Sequence, residues 1–295
     1  MFSEPDDPEV VARMRTAHAV AGGAIGAVPE AGAVGSPREA WGWRGRTLGR
    51  PVAGPYGPGW TRVVHSPADK AGGKLWTGPE DAERALSPEM PRPHLHLVRQ
   101  WTEDRDAYRA ELYDRVDTGA VSSTPVLVKA ADLPAAWWKE LRNALVGLTR
   151  VRTNRVAVRQ AYLDRAMPTY LSFLDVPVPT VPPAWSTAHG DLHWANLTAP
   201  DLCILDWEGW GLAPVGYDAA LLHAYSLSVP ETAEQVRREL SNVLDSDAGR
   251  FAELVVITEL LQSAQRGDNT ELVPALRQRA KEIAHRRPAD KPTGR

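Results

Sequence analysis

The sequence predicts an α+β protein with two lobes, a small antiparallel sheet followed by a larger helical lobe. Short strand-like segments separated by turns fill residues 41–116, whereas apolar residues at spacings of three and four dominate residues 117–286. A stretch around residue 190 is too rich in Gly, His and Asp for a core strand and indicates a functional loop.

The first lobe is predicted from its strand signals. Strands are expected at residues 47–52, 60–65, 74–76, 94–101 and 108–116, with turns at 54–59 and 102–106. A short helix is expected at 78–86, because Pro79 suits a first helical position and acidic residues follow it. Residues 1–40 are expected to form an N-terminal extension, with one helix at 8–20 and then a tether rich in Gly, Ala and Pro.

The second lobe is predicted from helical periodicity. Helices are expected at residues 134–151, 155–167, 231–244, 250–266 and 271–285. The first of them carries an apolar stripe that indicates core packing, formed by Trp137, Trp138, Leu141, Leu145 and Leu148. Residues 287–295 are expected to be a disordered tail.

Composition and charge exclude several classes of protein. The chain has 295 residues, a formal net charge of −3 and no basic block, which argues against a nucleic-acid binder. The single cysteine, Cys203, leaves no internal disulfide, and no stretch is apolar enough to span a membrane. The acidic N-terminus lacks the basic region of an export signal, so we expect a cytoplasmic protein. The oligomeric state is not predicted.

Three polar residues have the spacing of a magnesium-phosphate site. Strand-like runs on both sides of Asp201 predict a hairpin that pairs position 196 with position 206, which brings Asn196 and Asp206 together. Asp191, just upstream, is expected to lie over the same point. One carboxylate and one amide oxygen suit Mg²⁺, which keeps several waters and binds substrate phosphates. Because Asp191 is then left to hold a nucleophile, a phosphoryl transferase is the leading hypothesis.

Two other interpretations of this segment are open at this point. Each of the three residues is compatible with an ordinary loop or strand-end role, and only their combination with His189 and His193 favours a functional site. The run from His189 to His193 also looks like the metal-ligand cluster of a metallophosphoesterase. That interpretation is disfavoured because a two-metal site needs further clusters of His and Asp, and the other histidines are scattered.

The stretch from His189 to Leu222, HGDLHWANLTAPDLCILDWEGWGLAPVGYDAALL, resembles the catalytic core of the aminoglycoside phosphotransferase family, the small-molecule branch of the protein-kinase-like superfamily. The resemblance is specific over this stretch and looser over the rest of residues 41–285. It implies a two-lobed protein-kinase-like fold, ATP and Mg²⁺ as cofactors, and a small-molecule hydroxyl as acceptor. Relatives act on aminoglycosides, choline, ethanolamine, methylthioribose, homoserine and sugars, so the acceptor is left open.

The same resemblance assigns roles to the motif residues. Asp191 would orient the acceptor hydroxyl, while Asn196 and Asp206 would bind magnesium. His189 would support the catalytic loop, and Asp218 would brace it from the start of a buried helix. The residues alone also allow Asp218 to be a helix N-cap. Glu208, at the end of a strand, is expected to face solvent.

The first lobe is expected to hold the nucleotide. Lys74, one of only six lysines, begins the predicted third strand just before the short helix, where kinase-like proteins keep a lysine on the nucleotide phosphates. Glu83 or Glu80 would be its ion-pair partner, and Lys70 is the competing lysine.

Residues 113–116 would be the hinge that offers backbone groups to adenine, with Tyr113 and Arg115 as binding residues. The turn at 53–59 lies where a phosphate-covering loop is expected, but its prolines remove backbone donors and it fits a plain hairpin turn equally, so no phosphate contact is assigned to it.

The alternative function is that of a catalytically silent kinase-like module that binds a nucleotide or a partner. The atypical first lobe favours this alternative, whereas the intact set of Asp191, Asn196 and Asp206 favours catalysis. We therefore predict an ATP-dependent phosphotransferase that moves the γ-phosphoryl group to a hydroxyl of an aminoglycoside-, choline- or sugar-like molecule.

Overall fold

The computed structural model describes residues 3–32 and 38–285. Within them the strands are β1 (Val28–Pro29), β2 (Ala40–Trp41), β3 (Thr47–Gly54), β4 (Gly57–Pro67), β5 (Leu95–Glu103), β6 (Asp106–Asp114), β7 (Trp185–Ala188) and β8 (Gly211–Pro214). The helices are α1 (Pro8–Ile25), α2 (Lys74–Ala85), α3 (Ala135–Thr149), α4 (Gln160–Tyr170), α5 (Tyr217–Ala224), α6 (Pro230–Glu239), α7 (Ser241–Leu244), α8 (Asp247–Ala264) and α9 (Val273–His285). The tail predicted at 287–295 lies outside the described residues.

The first lobe is built on one antiparallel sheet with the strand order β1-β3-β4-β6-β5, in which β2 also pairs with β3. A hairpin joins β3 to β4 through Gly54 and Gly57, and another joins β5 to β6 with Glu103 opposite Asp106. Helix α2 connects the two hairpins along the chain. The predicted antiparallel lobe and its two hairpin turns are therefore confirmed.

The strand predicted at 74–76 is wrong, because these residues form the first turn of α2. The Trp76 N–H donates to the Gly73 carbonyl at 2.9 Å, and the Trp76 side chain packs against Val64 and Ala107 of the sheet. Pro79 consequently lies inside the helix and not at its start. The short run Lys-Leu-Trp is compatible with either state, and packing against the sheet selects the helix.

Residues 8–29 belong to the first lobe and do not extend from it. Helix α1 continues beyond the predicted residue 20 to Ile25, where Gly26 at φ 65° ends it in the left-handed conformation that glycine adopts readily. Met14 of α1 packs against Leu48 and Val63 on one face of the sheet. Strand β1 then pairs with β3. The predicted helix at 8–20 is confirmed, whereas the predicted tether is wrong for residues 21–29; residues 33–37 lie outside the described part of the chain.

Alternation along the central strands gives the two faces of the sheet different environments. On β4, Val63 packs under α1, whereas Trp60 and Arg62 line a cavity between the lobes. The register places Arg62 opposite Gly49 of β3 and Glu111 of β6. One face of the sheet therefore carries the apolar contacts with α1, and the other carries the polar groups of the cavity next to the apolar contacts with α2.

The second lobe is helical and encloses a large apolar core. Trp137, Trp138 and Leu141 of α3 are buried, as the predicted stripe requires. Helix α5 is buried along its whole length, and the pair β7-β8 leads into a polar loop at residues 189–196. Among the described residues, no helix combines the length and the hydropathy that crossing a bilayer requires. The predicted α+β fold, with a sheet lobe and a helical lobe, is confirmed.

A buried histidine in α1 makes the stability of the fold depend on pH. The His18 ring is fully buried, and this burial, together with the nearby Arg50 cation, lowers its pKa from 6.5 to about 4. Stability is therefore fully present above about pH 6.5 and falls by up to about 3 kcal/mol as the pH drops toward 4, because the unfolded chain binds the proton first. His18→Leu is expected to remove this part of the pH dependence, measured by urea unfolding at about pH 7.5 and about pH 4.5.

The matched control is His285→Gln, at an exposed position of α9, which should leave the pH dependence unchanged. A loss of stability on acidification that is as large in His18→Leu as in the wild type would contradict the assignment.

Candidate active site

The predicted hairpin is present, with a register one residue from the expected one. After the polar loop the chain turns back on itself so that Leu197 pairs with Ile204. The Asn196 carbonyl accepts a hydrogen bond from the Leu205 N–H at 2.8 Å. Asn196 is therefore opposite Leu205, and Asp206 follows at the open end, where it lines the same cavity as Asn196.

A buried carboxylate holds the start of the polar loop. Asp218 accepts hydrogen bonds from the backbone N–H groups of His189, at 2.7 Å, and of Gly190, at 3.0 Å. Burial raises the pKa of Asp218, although His189 and these two bonds favour the ionised form. The predicted brace is confirmed, and the N-cap interpretation is wrong, because Gly216 caps α5 and Asp218 bonds to the loop instead.

His189 supports the loop from inside the second lobe. Its ring is fully buried, and its Nε2 donates to the Leu205 carbonyl at 2.9 Å. Its Nδ1 accepts a hydrogen bond from the Asp191 N–H at 3.3 Å. Burial lowers the pKa of His189, so the ring is neutral and these two bonds select one tautomer. This geometry gives His189 a positioning role behind the cavity.

Asp191 projects from the loop with half of its side chain exposed. Its carboxylate lies 3.6 Å from His193 Nε2. Partial burial opposes ionisation, but the contacts with His193 and His189 outweigh it and lower the pKa of Asp191 below its ordinary value. The group is ionised at neutral pH and can accept a hydrogen bond from a hydroxyl.

The two predicted magnesium ligands lie in the same wall of the cavity. Asn196 Nδ2 donates to the Asp191 carbonyl at 2.9 Å, so the amide oxygen is the atom that could act as a metal ligand. Asp206 adopts φ 60°, and its Oδ1 is buried 3.2 Å from Arg62 without making a hydrogen bond among the described residues. A buried carboxylate oxygen without a hydrogen bond favours a cation, and a carboxylate with an amide suits Mg²⁺.

The site opens into a cavity of about 830 Å³ between the lobes. Strands β3, β4 and β6 provide the first-lobe wall, and the polar loop with its hairpin provides the other. The lining includes Gly42, Gly49, Trp60, Arg62, Glu83, Tyr113, Asn196, Asp206 and Trp207. The volume is in the range of pockets that bind small molecules and cofactors.

Lys74 does not line this cavity, which corrects its predicted role on nucleotide phosphates. Its Nζ donates to the carbonyls of Val156 and Ala157, at 2.8 and 3.2 Å. Burial, reinforced by the nearby Arg155, lowers the pKa of Lys74. Lys74 thus ties the first turn of α2 to the second lobe. The competing Lys70 is exposed and is also not in the cavity wall.

Glu83 and Tyr113 do line the cavity, but neither is placed as predicted. Glu83 pairs with Arg92 and His94 and not with a lysine. Burial opposes its ionisation, yet the bond from Arg92 and the other contacts lower its pKa to about 2. Tyr113 lies on β6 and not in a hinge, and its hydroxyl donates to Glu111 at 2.9 Å.

Arg115 and the turn expected to cover phosphates are not in the cavity wall. Arg115 pairs with Glu30 and Asp117, which holds it beside the first-lobe edge strand. The β3-β4 turn closes with Gly54 opposite Gly57, at the opposite end of β3 from the cavity residue Thr47. The predicted role of Arg115 is corrected, and the turn is the plain hairpin that the sequence left open, with its tip away from the site.

Three charged residues that the sequence did not place in the site connect the lobes beside Asp206. Arg62 Nη2 lies 2.7 Å from Glu208 and 3.2 Å from Asp206. Arg46, which immediately precedes β3, pairs with the other Glu208 oxygen. Glu208 is 15% exposed between two arginines, so its expected solvent-facing position is wrong. The alternation of side chains along β4 predicts which face of the sheet carries Arg62. Only the tertiary fold brings Glu208 to that face.

The chain is similar to known phosphotransferases in sequence over part of its length and in fold over most of it. Residues 119–254 match the sequence model of the phosphotransferase enzyme family. A search of curated proteins returns no match. The crystal structure of aminoglycoside phosphotransferase APH(4)-Ia is similar with a TM-score of 0.54 at 12% identity, over 81% of this chain and 90% of that chain. A thermostable mutant of that protein, in a ternary complex with ADP and hygromycin B, gives the same values.

The structural likeness at this low identity concerns the fold alone. The family match contains the polar loop, the hairpin that ends at Asp206, and Asp218 with α5. Residues 119–254, just under half of the chain, therefore match the phosphotransferase enzyme family, which supports a small-molecule kinase, an enzyme that phosphorylates a hydroxyl group.

Proposed function

We propose that this protein transfers the γ-phosphoryl group of ATP to a hydroxyl of a small molecule, with Mg²⁺ as the metal ion. The observation that carries the proposal is the placement of Asn196 and Asp206 in one cavity wall, with Asp191 on the loop beside them. Phosphoryl transfer depends mainly on positioning and on charge stabilisation, and these three groups supply both.

Asn196 and Asp206 would hold Mg²⁺ through an amide oxygen and a carboxylate. A Mg²⁺ ion held there would supply positive charge against the negative charge that develops on the transferred phosphoryl group. The fit is supported by Asp206 Oδ1, a buried oxygen without a hydrogen bond among the described residues. The hydrogen bond from Asn196 to the Asp191 carbonyl connects this pair directly to the loop.

Asp191 would accept a hydrogen bond from the acceptor hydroxyl and align it for in-line attack. Its lowered pKa keeps it ionised, and the loose transition state of phosphoryl transfer requires little early deprotonation. His189 would keep the Asp191 backbone in place through the bond to Nδ1. Orientation is therefore a larger contribution of Asp191 than basicity.

The choice of donor and acceptor is supported by the fold relative. The mutant of APH(4)-Ia was crystallised with ADP and hygromycin B, which favours a nucleotide donor and a hydroxyl-bearing acceptor for this chain also. Aminoglycoside-, choline- and sugar-like alcohols are the first acceptors to screen, by ADP release. We expect this reaction in the cytoplasm, without a nucleic-acid or membrane partner.

Asp206→Asn is expected to abolish the Mg²⁺-dependent part of nucleotide binding, because it removes a negative ligand while keeping the shape of the side chain. In the wild type, ATP and Mg²⁺ at about a hundred times Kd should stabilise the fold by about 2.7 kcal/mol, a rise of several degrees. Thermal unfolding with and without ATP and Mg²⁺ measures the difference.

The control for this variant is Asp201→Asn, an exposed aspartate at the tip of the same hairpin, which should retain the wild-type rise. If the wild type shows no rise with ATP, GTP or their Mg²⁺ complexes, the proposal fails and a partner-binding module replaces it.

Asp191→Asn is expected to lower turnover about 10²- to 10⁴-fold, because an amide cannot accept and orient the hydroxyl as a carboxylate does. Stabilisation by ATP and Mg²⁺ should stay at the wild-type level, since Asp191 is not a metal ligand in this proposal. ADP release with an acceptor found in the screen is the measurement. Turnover near the wild-type rate in a folded variant would refute the role of Asp191.

A further inference from the structure

Arg62 lines the cavity but is neither a proposed magnesium ligand nor the residue proposed to orient the acceptor hydroxyl. Arg62 lies in the middle of β4, with Gly49 of β3 on one side and Glu111 of β6 on the other. Its side chain is 14% exposed and lines the cavity together with Trp60. Gly49 leaves room for the Trp60 ring, which an added Cβ would meet at 2.6 Å. This face of β4 therefore presents an aromatic ring and a guanidinium side by side.

Three carboxylates from both lobes surround the guanidinium. Nη2 lies 2.7 Å from Glu208 and 3.2 Å from Asp206, and Nη1 lies 3.3 Å from Glu111. Burial opposes the charged form, but the carboxylates outweigh it and raise the pKa of Arg62 well above its ordinary value. Since a guanidinium has five N–H donors, these contacts leave donors on Nε and Nη1. Arg62 is thus a permanent cation beside the proposed metal ligand.

The two carboxylates that flank Arg62 are themselves held by further arginines. Glu111 lies 2.7 Å from Arg109, which reaches Glu80 of α2 at 2.9 Å. Glu208 pairs with Arg46 through its second oxygen. A row of alternating charges therefore runs from α2 across the sheet to the hairpin of the second lobe. Because a buried charge without its partner is strongly unfavourable, each member restricts the position of the next.

We propose that Arg62 binds the phosphates of the nucleotide in this chain, and that Glu111 and Glu208 are positioning residues that hold its guanidinium. The inference rests on the proposed function, since it takes a nucleoside di- or triphosphate as the ligand. In this inference Arg62 of β4 binds the nucleotide phosphates, the role that the sequence analysis predicts for Lys74. The structure places Lys74 outside the cavity wall.

Distance and chemistry support this assignment. A phosphate held beside Asp206 would lie within reach of Arg62, because Nη2 is 3.2 Å from the Asp206 carboxylate. The planar fork of a guanidinium binds a carboxylate along one edge and a phosphate along another, which a single ammonium cannot do. The surrounding charges also favour a phosphate-binding role for Arg62. A polyphosphate would enter beside the carboxylates of Glu111, Glu208 and Asp206, and the Arg62 cation would offset their repulsion.

The test compares Arg62→Gln with the wild type in binding ADP without Mg²⁺, ATP with Mg²⁺, and adenosine, by calorimetry. We expect the affinity for ADP to fall about tenfold or more, as for a lost charge-assisted hydrogen bond, and the affinity for adenosine to stay unchanged. Omission of Mg²⁺ separates a direct contact with phosphate from an effect through the metal ligand Asp206.

Two control variants accompany the test. Arg99→Gln removes an exposed arginine of the same sheet, and Lys74→Ala removes the lysine that the sequence favours. Both should bind ADP like the wild type. A loss of ADP affinity in Lys74→Ala without a loss in Arg62→Gln would overturn the inference and return the role to Lys74.

The positioning role of Glu208 has its own readout. If Glu208 acts through Arg62, Glu208→Gln should weaken ADP binding in the wild-type background and have no further effect in the Arg62→Gln background. A merely structural role would give additive losses, and it would lower the affinity for adenosine as well.

The outcomes separate this inference from the proposed function. If the wild type binds neither ADP nor ATP, the proposed function fails. If the wild type binds them and folded Arg62→Gln binds ADP within about twofold of it, or loses ADP and adenosine equally, the inference is overturned and the function stands. If Arg62→Gln does not fold, the charge-balanced double variant Arg62→Gln/Glu208→Gln, compared with Glu208→Gln alone, decides by the same criteria.

Discussion

The geometry of the site depends on the two hydrogen bonds that Asp218 accepts from the backbone at the start of the polar loop. They hold His189 and Gly190 where the chain leaves β7; Asp191 and Asn196 follow in the same loop, and Asp206 lies at the open end of the hairpin that continues from it. Gly190 needs φ 84°, and a Cβ there would lie 2.9 Å from the Gly209 carbonyl, so only glycine allows the loop to pack this closely on the hairpin. A carboxylate buried at the start of α5 thus controls a site on the surface of the lobe.

The two lobes meet through charged groups around the cavity, while α2 supplies the apolar connection. Ala82 and Leu86, in and just after α2, join the core of the second lobe, whereas the sheet has smaller clusters of its own. Arg155 reinforces this attachment by donating to the Lys74 carbonyl at 2.8 Å and to the Glu208 carbonyl at 3.1 Å. Helix α2 is therefore fastened to the second lobe, and the position of Lys74 follows from that attachment.

The local sequence pattern predicted the elements whose structure depends on neighbouring residues alone. It did not predict the elements whose structure depends on tertiary contacts. The apolar stripe of α3 and the hairpin that brings Asn196 toward Asp206 were predictable, because periodicity and turn residues act over a few positions. The segment that begins with Lys74 was not predictable, because its residues fit a strand or a helix equally and contacts with Val64 and Ala107 decide between them. The predicted tether is wrong for a related reason. Its Gly- and Ala-rich residues fit a flexible segment, but close packing of α1 on the sheet stabilises the helix as far as Ile25.

The sequence by itself determined the fold class, the spacing of Asp191, Asn196 and Asp206, and the family resemblance, because these depend on short-range order along the chain. Only the tertiary structure decided which cation stands beside the proposed metal ligands. Arg62 and Glu208 are 146 residues apart and meet because a strand register and a lobe-lobe contact coincide. No local sequence pattern predicts this register or this lobe-lobe contact, because an ion pair across two lobes depends on the packing of every element between them.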